Sequence, residues 1–143
     1  MLNAKDELLT ISASLTDIKS RFYGSNFEAN LQDDTQFPLL HVQKITNSSL
    51  EQNITTGLWK RSWQIFLFIG DKTDLDTTGV NLDTFEEQNA ARMRRMVDLI
   101  NKSGKFELIS KVDMLHKDFK FDFNMSGVIG MFNLKERQGH LIC

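Results

Sequence analysis

The first regular pattern along the chain is helical. Five apolar residues recur at alternating spacings of three and four, with polar residues between them: Leu8, Ile11, Leu15, Ile18 and Phe22. This spacing is typical of one face of an α-helix, so it predicts an amphipathic helix from about Ala4 to Arg21 with Asn3 as its N-cap. We expect this face to pack on the core. A coiled-coil seam is the alternative, but the heptad does not continue.

Extended segments follow. In "FPLLHV", Pro38 pushes the preceding residue to extended backbone geometry and cannot donate to a ladder, so we predict a strand from Phe37 to Ile45 that begins or lies at an edge. The segment from Trp59 to Ile69 alternates between two faces and becomes apolar on both of them in its second half. That pattern predicts a strand that starts at the rim and ends inside the sheet. The weaker "SLEQNIT" segment before it could pair with it as a hairpin.

A long polar loop is predicted from Gly70 to Thr84. Asp74, Asp76 and Gly79 occupy places that they would have in a calcium-binding loop, but the twelfth place, which needs a bidentate glutamate, holds Phe85. Two interpretations stay open: a weak cation site, or a solvated acidic loop without metal. We expect the second.

A second helix has local signals at both ends. Thr84 and Glu87 have the spacing of a capping box, in which each side chain satisfies a free backbone N–H of the other residue. Gly104 stands where a left-handed C-terminal residue is favoured. We therefore predict a helix from Phe85 to Lys102. Its apolar face consists of Phe85, Met93, Met96, Val97 and Ile100, together with Asn89.

The last third of the chain has alternating apolar residues. Phe106 to Val112 predicts one strand, followed by a turn around His116 and Lys117. The stretch "DFKFDFNMSGVIGMFNL", from Asp118 to Leu134, predicts either one long bent strand or two strands joined at Ser126-Gly127, because glycine marks a bulge or a bend in a strand. Residues from about 135 to 143 are predicted to form a flexible tail.

These elements predict a single α+β domain over residues 1–143. Runs of strands between two helices favour α+β over alternating βα units. We expect a mostly antiparallel sheet of about four or five strands, with both helices packed on one face. The other face carries Phe, Trp and Ile side chains, and we expect another subunit to cover part of it.

Composition narrows the class of protein. The chain has 143 residues and a formal charge of −2, so the overall charge gives no reason to expect nucleic-acid or membrane binding. Its one cysteine, Cys143, cannot form a disulfide within the chain. The first residues do not resemble a signal peptide and no run is long enough to span a membrane, so we expect an intracellular product or one assembled inside a cell.

No motif in the chain carries recognisable chemistry. His41, His116 and His140 do not have metal-ligand spacing, and neither a phosphate-binding glycine loop nor a nucleophile elbow is present. We therefore expect no enzyme activity and no cofactor. An active site assembled from distant residues, around the acidic loop, is the less favoured alternative.

Basic residues are the candidate site residues. They form two local groups: Lys60 and Arg61, and Arg92, Arg94 and Arg95. The three arginines could contact DNA phosphates or an acidic neighbour. Trp59 and Trp63 flank Arg61 and could stack on nucleic-acid bases. The alternatives are a rim cation on a packed sheet and a solvated helix face.

From Phe37 to Leu134, the chain resembles the tail-terminator and tail-completion (minor tail, neck) proteins of tailed bacteriophages. The resemblance lies in the order of an N-terminal helix, "FPLLHVQKI", "WQIFLFIGDK", "FEEQNAARMRRMVDLI" and "KFDFNMSGVIGMFNL". It implies a virion protein, assembled in the host cytoplasm, that forms a ring, usually a hexamer. Such a ring caps the tail tube and joins it to the head. The implied partners are other copies of the chain, the major tail tube protein and head–tail connector proteins. In such a ring, the basic residues could line the channel and contact DNA phosphates without reading sequence, or could face a neighbouring subunit: Lys60, Arg61, Arg92, Arg94 and Arg95.

Two other functions remain open at this point. The chain could be another ring protein of the neck or connector. It could also be a non-viral adaptor domain that binds a partner through a sheet edge.

Overall fold

A computed structural model of the chain describes residues 2–24, 36–72, 79–120 and 124–140. Two helices and six strands follow one another along the chain: α1 (Ala4–Ser12), β1 (Ser20–Gly24), β2 (Leu39–Gln43), β3 (Ser48–Gln52), β4 (Trp59–Lys72), α2 (Gly79–Ser103), β5 (Asp113–Lys120) and β6 (Asn124–Lys135).

The strands form one mixed sheet in the order β1-β2-β4-β6-β5, and β3 pairs with β4. Only β1 and β2 are parallel among the described pairs, and the others are antiparallel. The α+β class is therefore confirmed. The predicted strand number was too low because no strand was predicted at Ser20–Gly24, whose first residues were assigned to the first helix. The predicted hairpin is also present, as β3 and β4 are antiparallel neighbours joined by residues 53–58.

The core lies mainly between the helices and one face of the sheet. Its main cluster contains Ala4 and Leu8 of α1, and alternate residues of β4 from Trp63 to Ile69. It also contains Met93, Met96 and Ile100 of α2. The side chains that recur every second residue in β4 thus pack in one layer with those that recur at helical spacing in α2. The smaller cluster on the opposite face is formed by Leu39, Phe68 and Met125.

The first helix is shorter than predicted. It ends at Ser12, and Phe22 belongs to β1. Arg21 holds the turn that follows the helix, because its Nη2 donates to the carbonyl oxygens of Ser12 at 2.8 Å and Leu15 at 2.9 Å. Leu15 and Ile18 are buried all the same. The apolar spacing therefore predicted the burial of Leu15 and Ile18 correctly, although the helix ends before them.

The second helix is longer than predicted at its start. It begins at Gly79, so Thr84 lies inside it and the predicted capping box is wrong. A capping box marks the start of a helix only when the residues before it are not helical. Residues 79–83 contain no proline, so nothing in their sequence prevents them from forming the first turns of the helix. Its end is confirmed: the helix stops at Ser103, and Gly104 has a φ of 72°.

The strand predicted from Phe106 to Val112 is wrong. Phe106 makes an isolated bridge with Glu136, and regular pairing begins only at Asp113. The Asn101 side chain takes the place of a strand partner, since its Oδ1 accepts from Ile109 N at 2.8 Å and its Nδ2 donates to Ile109 O at 3.2 Å. The turn predicted at His116 and Lys117 is also wrong, because both residues lie within β5.

Strand β6 runs unbroken through Gly127 and pairs with β4 and β5. A Cβ at Gly127 would collide with the backbone of Ile69, so this glycine allows two strands to approach closely and does not form a bulge. Phe121 and Phe123, two aromatic residues of the strand predicted from Asp118 to Leu134, lie outside the described residues.

The segment after β6 is held by backbone pairing as far as it is described. Trp59 and His140 exchange two N–H···O bonds of 2.8 Å, and Glu136 pairs with Phe106. The flexibility expected for residues 135–143 stays a prediction, and Cys143 lies outside the described residues.

Candidate interaction surfaces

The five basic candidates lie in different environments. Arg92 belongs to an interior ion network: its Nη1 lies 2.7 Å from Asp71 Oδ2 and its Nε lies 3.1 Å from Asp17 Oδ2. Its side chain is only 14% exposed. Asn89, which is fully buried, contributes its Oδ1 as an acceptor for Arg92 Nη1 at 2.8 Å. Arg92 therefore joins α2 to β4 and to the turn after α1.

The neighbouring arginines of α2 are exposed. Arg95 Nη2 lies 2.8 Å from Asp17 Oδ2 and extends the same network to the surface. Partial burial alone would raise the pKa of Asp17, but hydrogen bonds from Arg92 and Arg95 outweigh it and hold this pKa below its ordinary value. Within the described part of the chain, Arg94 forms no ion pair.

Lys60 and Arg61 are adjacent in β4 and therefore point to opposite faces of the sheet. Lys60 Nζ pairs with Glu107 Oε1 at 3.2 Å. The Arg61 guanidinium lies 5.3 Å from the ring centroid of Trp63. Trp63 is 4% exposed and packs edge-on against Phe106, so its ring belongs to the core and is not available to stack on a base.

The three histidines occupy three separate places. His41 is buried in β2, while His116 Nδ1 lies 3.5 Å from Glu86 and His140 Nε2 lies 3.0 Å from Glu136. Among the described residues, no group of three or more His, Cys, Asp or Glu side chains could hold a metal ion. Asp74 and Asp76, which belong to the predicted acidic loop and to the less favoured cation site, lie outside those residues.

Exposed apolar side chains are concentrated at two places for which the sequence predicts no interaction surface. One is the β3–β4 hairpin, where Leu50 is half exposed and Ile54 is 97% exposed. The other is the β5 side of the sheet, where Met114 and Leu115 are half exposed and Leu108 is 74% exposed. Only the alternation within "DMLH" and the isolated isoleucine in "QNITTG" indicated them.

The hairpin tip has a defined backbone conformation. Asn53 Oδ1 accepts from the N–H groups of Thr55 at 2.9 Å and Thr56 at 3.2 Å. Gly57, with a φ of 71°, donates to the Asn53 carbonyl oxygen at 2.7 Å. These bonds hold Ile54 outward on an ordered turn.

The two apolar places lie at opposite edges of the sheet. β3 and β6 both pair with β4 at Ser62 and Trp63, so they flank β4 on opposite sides, and β5 lies beyond β6. Among the described strands, β3 pairs only with β4 and β5 pairs only with β6. Within the described ranges, each therefore has an outer edge without a strand partner.

A comparison with protein-family models gives no match for this chain, and a comparison with curated proteins gives none either. No helix among the described residues has both the length and the apolar character needed to cross a membrane.

Proposed function

We propose that this chain is a structural virion protein that forms the tail-terminator or tail-completion ring of a tailed bacteriophage. In this role, copies of the chain close into a ring that caps the tail tube and meets the connector on the head side. The observation that carries the proposal is the pair of apolar edges, β3 with the tip residue Ile54 and β5 with Met114 and Leu115.

A ring needs two different surfaces on each subunit, because each copy contacts one neighbour with the first and the other neighbour with the second. The two edges meet this requirement, since they lie on opposite sides of the sheet and differ in shape. The hairpin tip projects a single aliphatic side chain, whereas β5 offers the outer edge of a strand with apolar side chains on both faces. In the proposed contact, the hairpin of one subunit packs against β5 of the next.

The basic residues have unequal parts in this proposal. Arg92 is committed to Asp17 and Asp71 inside the subunit, and Arg95 shares Asp17. Arg94 is left as the α2 residue best placed to contact DNA or a neighbour, with Arg61 at the start of β4.

The first test is the mass of the purified chain by size-exclusion chromatography with light scattering. The subunit is 16.5 kDa, and we expect a species of several subunits that is a closed ring by negative-stain electron microscopy, either alone or after tail tubes are added. A chain that stays monomeric beside tubes but binds an extended peptide at β5 would favour the adaptor function and contradict the ring.

A pair of variants tests the contact itself. Ile54→Ser alters the hairpin surface, and Met114→Ser with Leu115→Ser alters the β5 surface, so each variant alone should fail to close rings. Mixed in equal amounts, they should form heterodimers that grow no further, because one intact hairpin can meet one intact β5 edge. Thr56→Ser, also at the tip, is the matched control and should form rings normally. Rings from either variant alone, or no heterodimer in the mixture, would contradict this interface.

A further inference from the structure

A groove lies between the start of α1 and the rim of the sheet, and its volume is about 530 Å³. Its walls come from the start of α1, from Tyr23 of β1, from the segment between β2 and β3, from Ser48 of β3, and from β4. The lining residues that bear on its chemistry are Lys5, Tyr23, Thr46, Ser48, Arg61 and Trp63.

The groove is cationic. Lys5 and Arg61 line it, and its described lining contains no carboxylate. Other cations of the sheet and its surroundings are paired closely with glutamates: Lys60 with Glu107 at 3.2 Å, Lys105 with Glu7 at 2.6 Å and Lys135 with Glu51 at 3.2 Å. Among the described residues Arg61 has no such partner, and Lys5 has only the exposed Asp6 at 3.8 Å.

Aromatic rings hold both cations in place. Lys5 Nζ lies 5.3 Å from the ring centroid of Tyr23, and the Arg61 guanidinium lies 5.3 Å from that of Trp63. A cation held over a ring face keeps its N–H donors for another acceptor. The two charges are therefore positioned without being neutralised.

The backbone of Arg61 is fixed from outside the groove. Its N–H donates to Glu136 Oε1 at 2.8 Å, and its carbonyl oxygen accepts from Glu136 N at 2.9 Å. Glu136 is buried, so these bonds are shielded from water. Arg61 thus projects into the groove from a rigid position.

Hydroxyl groups add neutral donors. Tyr23 Oη accepts from Ile45 N at 3.1 Å, and Ser48 Oγ accepts from Arg61 Nη2 at 3.5 Å. In both bonds the hydroxyl group uses a lone pair of its oxygen and not its hydrogen. The O–H hydrogen can therefore donate to an acceptor inside the groove. Together with the two cations, these donors come from four different elements, α1, β1, β3 and β4.

We propose that this groove binds a phosphate group. A tetrahedral phosphate presents oxygens in several directions, which suits cations and hydroxyls on separate walls, and a guanidinium can donate to two of these oxygens at once. The groove is much larger than a free phosphate ion, so it has room for a phosphate carried by a larger molecule. This inference does not depend on the ring, because it rests on a surface within one subunit.

The test is isothermal titration of the full chain with three probes: inorganic phosphate, adenosine monophosphate and a short DNA duplex of mixed sequence. Binding by the duplex alone identifies a nucleic-acid backbone as the source, and binding by the smaller probes identifies a free phosphate or a nucleotide. We expect Arg61→Gln and Lys5→Gln each to weaken binding of the responding probe at least tenfold. With DNA, the dependence of affinity on salt should also become shallower.

Lys111→Gln is the matched control, since Lys111 is 82% exposed and does not line the groove. It should leave binding of the small probes unchanged and affect DNA far less than Arg61→Gln does. Arg61→Lys, which keeps the charge without the planar fork, should bind with intermediate affinity. Far-UV circular dichroism checks that every variant is folded. The proposal is overturned if no probe binds, if Lys111→Gln weakens binding as much as Arg61→Gln, or if acetate competes as well as phosphate.

Discussion

At the scale of single residues, His41 shows how burial sets the charge of a side chain. It lies opposite Phe68 in the β2–β4 register and is fully buried. Burial lowers the pKa of His41 from 6.5 to about 4, and a hydrogen bond with the Gly24 backbone opposes this only in part. His41 is therefore neutral in the folded protein at neutral pH.

His41 should make the folded protein less stable in mild acid. In the unfolded chain its pKa is 6.5, whereas in the folded chain it is about 4, so the unfolded state binds the extra proton first. The contribution of the buried His41 to the free energy of unfolding is therefore complete above pH 6.5, and it is lost as the pH falls toward 4. Urea unfolding at several pH values should show a slope from this residue no steeper than about 1.4 kcal/mol per pH unit.

A His41→Gln variant should lose that part of the slope. His116→Gln is the control, because His116 is about half exposed. The prediction is contradicted if the free energy of unfolding falls by the same amount between pH 7 and pH 5 in the wild-type chain and in His41→Gln. In that case, burial of the neutral imidazole does not cause the loss of stability in acid.

At the scale of elements, α2 presents different faces to the sheet, to the ion network and to solvent. Met93, Met96 and Ile100 face the core, and Arg92 beside them reaches Asp17 and Asp71. Arg94 lies on the exposed side of the same helix. Neighbouring arginines of one basic cluster thus have opposite structural roles.

Arg92→Ala should destabilise the protein by about 3 kcal/mol, because it leaves Asp71 partly buried without its cation. Arg94→Ala, two residues away, should change the free energy of unfolding by less than about 0.5 kcal/mol. Chemical denaturation of both variants measures the difference. Equal effects would show that the Arg92 network does not hold α2 against the turn and β4.

At the scale of the whole molecule, the residues after β6 link the rim of the sheet to the segment after α2. Glu136 bonds to the backbone of Arg61 and bridges to Phe106, and His140 pairs with Trp59. This docking connects the start of β4, the segment before β5 and the end of β6.

A chain stopped after Lys135 should therefore be less stable than one stopped after His140. The shorter chain loses the acceptor of Arg61 N–H and both bridges, and we expect a loss of about 1–3 kcal/mol for these backbone hydrogen bonds together. Thermal unfolding of the two truncated chains compares them. Identical melting temperatures would support the flexible tail predicted from the sequence.

The interaction surfaces were less predictable than the fold. The basic cluster on α2 is evident in the sequence, but its division into the buried Arg92 and the exposed Arg94 depends on Asp17 and Asp71, which are distant in the chain. The exposure of Ile54 and Leu108 could not be read from residue type either. An apolar side chain in a polar segment is buried or exposed according to which other segment packs over it.

The sequence by itself determined the α+β class, the apolar faces of both helices and the alternation of β4, because local periodicity records the side on which a segment is buried. Tertiary structure alone decided where α1 ends, where α2 begins and that Ser20–Gly24 pairs with β2. These limits depend on contacts that no helical or strand period encodes: Arg21 donates to the Ser12 carbonyl oxygen, and Ser20–Gly24 pairs with Leu39–Gln43. A local pattern contains no information about such partners, so only the assembled fold could place them.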